Sequence, residues 1–388
     1  MKRKDKPSYV IPSMDDVRAV PWNGLRVAST FSGAGGSCLG YRMAGYRVVW
    51  ANEFVPEAQT SYLANASGHS YLDKRDVKIV QPDEILERTG LGVGELDIFD
   101  GSPPCQAFST AGRRHRGWGE DKEYEHGAIQ KNETLFDEYV RLLRGLKPKV
   151  FLAENVKGLI TGTSKGYFLE ILAALKASGY RVKCRLLNAQ WLGVPQNREH
   201  TIFVGVREDL KLDPVHPAPF GYSYTVSEAL PWILKAVHET GGQYSVGDIT
   251  HKPSPTIMAV RTVHFVDRES AISGDRERIY DLTKPGKSFA DGAKKVGKDG
   301  WYTHTRASKH RPSPAITAYA QTYHPDARRK FTIEEAKRIC SFPDDFVLTG
   351  GYAQQWARLG NSVPPLMMKA IAKEIRTGIF DKLGVTSP

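Results

Sequence analysis

No stretch of this 388-residue chain is long and apolar enough to cross a bilayer. The N-terminus, MKRKDK, lacks the apolar core of a secretory signal. Cysteine is scarce: Cys38, Cys105, Cys184 and Cys340 are widely spaced and form no CxxC pair. That spacing argues against a zinc site or a disulfide framework. The expectation is a cytoplasmic protein with no metal and no membrane partner, whose thiols stay reduced. An acidic excess is absent too. The formal charge is +11, which favours a polyanionic partner, most commonly nucleic acid. With 40% hydrophobic and 25% charged residues the chain reads as globular, and its length suits one large or two ordinary domains.

What is present begins as alternating strands and helices. Residues 1–23 mix charge, Pro and Ser without period and read as a flexible arm. LRVASTF, ending at Phe31, is a strand; SGAGGS turns the chain; CLGYRMAG is a helix stopped by Gly45. YRVVWANE is a second strand ending at Glu53, and Pro56 to Asn65 a second helix. Strands follow at Leu96 to Asp100, Val150 to Glu154, Tyr180 to Leu187 and Thr201 to Val206, with helices at Glu133 to Leu146 and Tyr167 to Ser178. This order predicts an α/β fold, a doubly wound and mostly parallel sheet, over 24–207. Alternation fades over 208–310, which reads as a smaller irregular domain. KPSPTI at Lys252 and RPSPAIT at Arg311 echo each other there and beyond. Over 311–388 regularity returns. TIEEAKRIC is a helix with Thr332 as N-cap and Glu335 at the capping-box position, and the last helix is expected to pack on the first domain.

Four motifs carry chemistry. The turn Phe31-Ser32-Gly33-Ala34-Gly35-Gly36 joins a strand to a helix, and such glycines let a ligand approach the backbone at a helix N-terminus. Glu53 ends the next strand about 20 residues later, where dinucleotide folds bind ribose hydroxyls. An adenosine-containing cofactor follows, while the glycine spacing departs from G-x-G-x-x-G and disfavours nicotinamide. In GSPPCQAFS, Cys105 stands on a stiff Pro-Pro turn at a strand end, well placed for a nucleophile. Ala153-Glu154-Asn155-Val156 ends another strand, so Glu154 can hydrogen-bond a substrate or move a proton. Arg198, in Gln196-Asn197-Arg198-Glu199-His200, can fix a planar or phosphate-bearing ligand. The polar insert between Gln106 and Asn132 is long enough to be a lid.

FSGAGG, Glu53, GSPPCQ, ENV, QNREH and LGNSVPP, in that order and approximate spacing, resemble the DNA cytosine-5 methyltransferase family, of the bacterial or phage modification type. The likeness covers most of Leu25 to Lys373 and excludes the N-terminal arm. It implies a Rossmann-like S-adenosylmethionine-dependent fold with 208–310 as the target-recognition domain. It implies that Cys105 attacks C6 of a cytosine swung out of double-stranded DNA, that Glu154 faces N3 and the 4-amino group, and that Arg198 assists. His200, counted with the catalytic residues, stands where the family usually has a second arginine, so that either Arg198 does more of the work or His200 substitutes through a hydrogen bond.

By the same resemblance Phe31 borders the adenine, and Gly33 and Gly36 lie near the methionine part. Glu53 and Phe54 meet the ribose, and Asp76 and Val77 the adenine edge. Pro104 and Leu135 line the pocket, with Asn361, Ser362 and Val363 closing it. Gln106, Ser109, Arg113, Arg114, Arg116 and Arg311 are expected to contact DNA. Lys309, Arg311, Arg328, Arg329 and Lys330 form a second basic cluster, and Arg261, His264 and the Arg276 to Arg278 region are candidate readers. A cognate restriction endonuclease is a candidate partner, and a monomer associated with the nucleoid is the expected state. RNA as substrate, a DNA-binding reader on a degenerate fold, and a dehydrogenase are the rivals.

Overall fold

The structure is a computed structural model and describes residues 6–104, 122–124, 128–130, 135–160, 165–231, 270–319 and 321–385. It divides into two compact units. One holds Val17–Asn188, Glu199–Ala218 and Met367–Pro388. Its strands are β1 (Arg26–Thr30), β2 (Arg47–Asn52), β3 (Tyr71–Asp73), β4 (Ile98–Gly101), the small hairpin β5 (Lys122–Tyr124) and β6 (Ala128–Gln130), β7 (Val150–Val156) and β8 (Tyr180–Asn188). After β9 (Gln196–Asn197), which belongs to the other unit, comes β10 (Glu199–Arg207).

Seven of these strands form one sheet in the order β3-β2-β1-β4-β7-β10-β8. The first five run parallel, and β10 lies antiparallel between β7 and β8. From β1 the chain winds outward through β2 to β3, then returns to the other side of β1 as β4 and continues to β7. The junction of β1 and β4 is therefore the switch point of a doubly wound sheet. Ile98, Phe99, Val150, Phe151, Leu152, Ile202, Phe203 and Val204 are all buried, as strands covered on both faces require.

Helices α2 (Gly36–Met43), α3 (Pro56–Asn65), α4 (Pro82–Thr89), α5 (Leu135–Leu146) and α6 (Lys165–Lys176) join these strands; α1 (Met14–Ala19) precedes them. Helix α5 sends Leu135, Phe136, Tyr139, Leu142, Leu143 and Leu146 into the core, and the Tyr139 hydroxyl donates to Phe99 O and Leu152 O. The C-terminal segment joins this unit through Tyr46 OH donating to Ala372 O and Arg376 Nη1 donating to Asn23 O.

One packing site makes a test of the sheet. Gly205 pairs with Phe151 across β10 and β7, and a Cβ at Gly205 would stand 2.0 Å from that ring. Gly205→Ala therefore has to push a buried aromatic aside. We expect it to lower unfolding free energy by about 1–3 kcal/mol, read as an earlier urea midpoint at unchanged m-value.

The other unit holds Met1–Asp16, Ala189–Arg198 and Pro219–Leu366. It is built from short pieces: α7 (Val226–Ala229), α8 (Asp275–Leu282), α9 (Ala290–Lys295), β11 (Thr305–Arg306), β12 (Ser313–Pro314), β13 (Thr322–Tyr323), α10 (Ile333–Ile339) and α11 (Tyr352–Asn361), with α12 (Pro365–Ile375) following. A small core joins Ile279, Tyr280, Phe289, Ala293 and Tyr323. Thr332 caps α10 as expected: its Oγ1 accepts from Glu335 N, and Glu335 Oε2 accepts from Thr332 N.

Several expectations are corrected. Residues 6–19 are no arm. Tyr9, Met14 and Val17 are buried, Tyr9 OH donates to Arg338 O at 2.6 Å, and Met14 N donates to Asp345. The units cut the chain differently from 24–207, 208–310 and 311–388. Residues 189–198 leave the sheet unit because β9 pairs with β12, while 367–388 return to it. The expected second basic cluster is largely occupied within the protein. Arg329 pairs with buried Glu335, Arg328 with Glu277 and Asp281, and Lys309 with Asp326. The KPSPTI copy of the repeat lies outside the described residues; the other forms β12.

Candidate active site at the carboxyl ends of the parallel strands

In the sheet unit the ladder aligns the strand ends. Ser29 pairs with Ala51 and Asp100, Thr30 with Gly101, and Gly101 with Ala153. The glycine turn, Glu53, the Ser102–Pro104 turn and Glu154 consequently emerge from one edge, around the β1/β4 switch point. Ligands of such sheets bind there.

The glycine turn needs unusual backbone. Gly33 and Gly35 have φ of 56° and 96°, and Phe31 itself has φ of 53°. Among the described residues nothing lies within 4 Å of where a Gly33 Cβ would stand. An opening of that kind over bare backbone at the start of α2 fits an adenosyl amino acid. Glu53 fixes the turn: Oε2 accepts from Gly33 N and Oε1 from Val55 N, both at 2.7 Å. A carboxylate offers about four lone-pair positions, the acceptor chemistry that ribose hydroxyls require.

Gln59 Nε2 holds the carbonyls of Glu53 and Phe54. Asn52 Nδ2 donates to Asp73 O and Arg75 O and so sets the turn that carries Asp76, whose Oδ1 accepts from Lys78 N. Val77 and Leu135 sit in the core cluster, so a ligand contact by Val77 has to come from its main chain, and Leu135 lines no open surface. Gly36 opens α2 and is buried.

Cys105 and the loop residues Gln106, Ser109, Arg113, Arg114 and Arg116 lie outside the described residues, as do Arg261 and His264. The turn leading to Cys105 is described, and Asn155 holds it: Asn155 Nδ2 donates to Pro103 O at 3.1 Å. Reading the residues in order missed this role. The signal available was an amide directly after Glu154 at a strand end. Pro104 is half-buried beside it.

The other three cysteines are poor nucleophiles. Burial pushes the thiols of Cys38 and Cys340 up to about 11, and that of Cys184 up to about 12. Only the thiolate attacks, so these groups stay inert near neutral pH.

Glu154 and His200 are brought together. Glu154 pairs with Ile202 and His200 with Val156, so the two side chains are diagonal neighbours on one face of the sheet. Glu154 Oε1 lies 2.6 Å from His200 Nδ1, with Glu154 8% and His200 2% exposed. The histidine at position 200 thus makes a short hydrogen bond to the carboxylate.

Four residues expected at the base or the cofactor fall in the other unit. Arg198 follows β9; its Nη1 donates to Ile316 O at 2.5 Å, and Gln196, buried beside it, accepts from Ile316 N. Asn361 is exposed at the end of α11, Ser362 Oγ donates to Arg358 O, and Val363 is buried. In that unit Arg311 is exposed and Arg276 lies over the Trp301 ring. Among the described residues no cluster of His, Cys, Asp and Glu is arranged for a metal, and no helix is long and apolar enough to cross a membrane.

Comparison with known proteins gives the same direction. A family model described as C-5 cytosine-specific DNA methylase matches residues 25–377. The chain is 31% identical over 365 residues to the Type II methyltransferase M.NgoFVII of Neisseria gonorrhoeae, covering 91% of this chain and 87% of that one. It is 30% identical over 352 residues to the Type II methyltransferase M1.HphI of Haemophilus parahaemolyticus, covering 90% and 86%. Among solved structures, a protein assigned as a DNA modification methyltransferase within an E. coli prophage matches with a TM-score of 0.68 at 22% identity, covering 92% of this chain and 99% of that one. A DNMT2 structure from Spodoptera frugiperda matches with a TM-score of 0.58 at 17% identity, covering 92% and 99%.

Proposed function

This chain belongs to the C-5 cytosine-specific DNA methylases, and we propose that it methylates a cytosine swung out of a specific double-stranded DNA sequence, through a covalent bond from Cys105 to C6. Cytosine in DNA is the substrate and S-adenosylmethionine the methyl donor. The observation that carries the reading is the convergence, on one edge of the sheet, of the glycine turn, the Pro103–Pro104 turn held by Asn155, and the Glu154–His200 pair.

The chain's residues divide the work. Gly33, Gly36, Glu53, Phe54, Phe31 and Asp76 are assigned to the cofactor, with the Val77 main chain and Pro104; Asn361, Ser362 and Val363 are assigned to it on the family resemblance alone. When bound, the cofactor supplies an electrophilic methyl group on a sulfonium. Attack by Cys105 on C6 breaks the aromaticity of the base and makes C5 electron-rich. Loss of the C5 proton after methylation expels the thiolate, so one hard substitution becomes several easier steps. Glu154, held by His200, meets N3 and the 4-amino group and steadies the adduct. Arg198 assists at the base, while Gln106, Ser109, Arg113, Arg114, Arg116 and Arg311 contact the duplex, mainly at phosphate. A modification role, with or without a cognate endonuclease, and action as a monomer complete the proposal.

The test is methyl transfer from labelled S-adenosylmethionine to genomic duplex DNA and, separately, to RNA. Label in duplex DNA at 5-methylcytosine, falling steeply between 50 and 200 mM salt, is expected. Label confined to RNA would overturn the substrate.

A further inference from the structure

Beneath the glycine turn lies a carboxylate that the reaction above leaves unused. Asp100 ends β4 and is 2% exposed. Its Oδ2 accepts from Ser29 Oγ of β1 at 2.9 Å and from Ser37 Oγ in the first turn of α2 at 2.8 Å. Its Oδ1 meets the Tyr41 hydroxyl of α2 at 3.4 Å. Ser32, inside the glycine turn, donates in turn to Ser29 O and reaches Ser29 Oγ. One carboxyl group therefore ties together the end of β1, the glycine turn and the start of α2. The chain runs on from it directly into Ser102-Pro103-Pro104. No cationic side chain among the described residues forms an ion pair with it.

A buried acid whose side-chain hydrogen-bond partners are hydroxyls, with no cation beside it, lacks the positive charge that would favour its ionised form. The ligand read into the turn directly above carries one, because its sulfonium is cationic and the sulfur of the demethylated product is neutral. We infer that Asp100 is a positioning residue for the cofactor turn whose proton is released when S-adenosylmethionine binds, so that the site distinguishes methyl donor from product by charge. The inference rests on the cofactor placement proposed above.

The groups facing Asp100 support this assignment of the proton. From α2 come Ser37, Tyr41 and the Cys38 thiol, from β1 Ser29, from α5 Tyr139 and from β7 Glu154. Burial holds Cys38 at about 11 and both tyrosines well above their ordinary range, so neither the thiol nor the two phenols titrate near neutrality. Burial, aided by the Glu154 charge, pushes the Asp100 carboxyl up to about 7. An acid raised above its unfolded value gives the fold stability that is fully present below that unfolded value. This stability is lost as pH rises through about 7. A nearby cation opposes the shift, so cofactor binding and ionisation of Asp100 help each other.

The experiment is calorimetric titration of the whole protein with S-adenosylmethionine and with S-adenosylhomocysteine, at pH 6.5, in two buffers of different ionisation enthalpy. A tenfold drop in the proton affinity of Asp100 would release roughly 0.5 proton to buffer per donor bound. We expect a release of that size for the donor, a smaller one for the product, and none for Asp100→Asn. Donor affinity should rise with pH between 6 and 8, by about fivefold, in the parent and stay flat in Asp100→Asn. The thermal midpoint of the cofactor-free protein should fall across pH 7 less in the variant than in the parent, which reports the same carboxyl without any ligand. Binding without proton release, or equal release by Asp100→Asn, overturns the inference and leaves the cofactor assignment standing. Failure of the parent to bind either ligand overturns both. If Asp100→Asn does not fold, Asp100→Glu replaces it and must shift the pH at which release is greatest.

Discussion

Cys105→Ala is expected to lower methyl transfer by roughly 10⁴- to 10⁶-fold, with the protein still folded and still binding cofactor. The size follows from the absence of a substitute. The remaining thiols are held protonated by burial, those of Cys38 and Cys340 at about 11. At pH 7.5 a thiol of that kind is ionised in roughly one molecule in three thousand. Cys38 also lies buried on α2.

The clean readout is a duplex in which 5-fluorocytosine replaces the target cytosine, offered with S-adenosylmethionine. Fluorine blocks the final elimination, so the parent protein should accumulate a denaturation-resistant complex with DNA and Cys105→Ala should form none. Asn155→Ala gives the graded companion. Without its bond to Pro103 O the Pro-Pro turn loses an anchor, and a misplacement near 1 Å can cost about 100-fold. A Cys105→Ala protein within tenfold of the parent would remove the nucleophile from the mechanism.

The parts of this molecule legible in the sequence are those set by local chemistry. The glycine turn, the helix from Pro56 to Asn65 and the cap at Thr332 each follow from residues close together in the chain, and the structure holds all three. Short elements escaped. Strand β3 has three residues, too few for alternation to show, and α4 buries only Ile85 and Leu86. Better punctuation was there for α4, with Pro82 at its first position and Gly90 at its end in left-handed conformation.

Partners distant in sequence were out of reach. Tyr9 finds Arg338 across 329 positions, and Arg328 is neutralised by Glu277 and Asp281. Charge clustering read along a chain says nothing about which charges the fold then pairs. The active-site edge was legible because parallel strands bring their ends together whatever their sequence separation. The union of Glu154 with His200 was not, because it depends on the register of β10 against β7.

That union supports the second large effect. Glu154→Gln keeps the shape of the side chain and removes its charge and its proton-transfer ability. Methyl transfer should fall by about 10²- to 10⁴-fold in kcat/KM, equivalent to roughly 3–5.5 kcal/mol of transition-state stabilisation. His200→Phe acts on the same pair from the other side. It fills the ring's volume but removes one short hydrogen bond to a buried carboxylate, a loss of about 1.5–3 kcal/mol for a hydrogen bond to a charged group. The rate should fall by roughly 10- to 150-fold and its dependence on pH should change shape.

Because the two residues act as one unit, their effects should not add. The double variant should be little slower than Glu154→Gln alone, with a coupling energy of about 1–3 kcal/mol. Single-turnover rates at saturating cofactor and DNA measure this without interference from product release. Additive losses would mean that His200 serves the fold and that Glu154 works without it. A His200→Phe protein with parental rate and parental pH profile would mean that the carboxylate is held by other partners in the DNA complex.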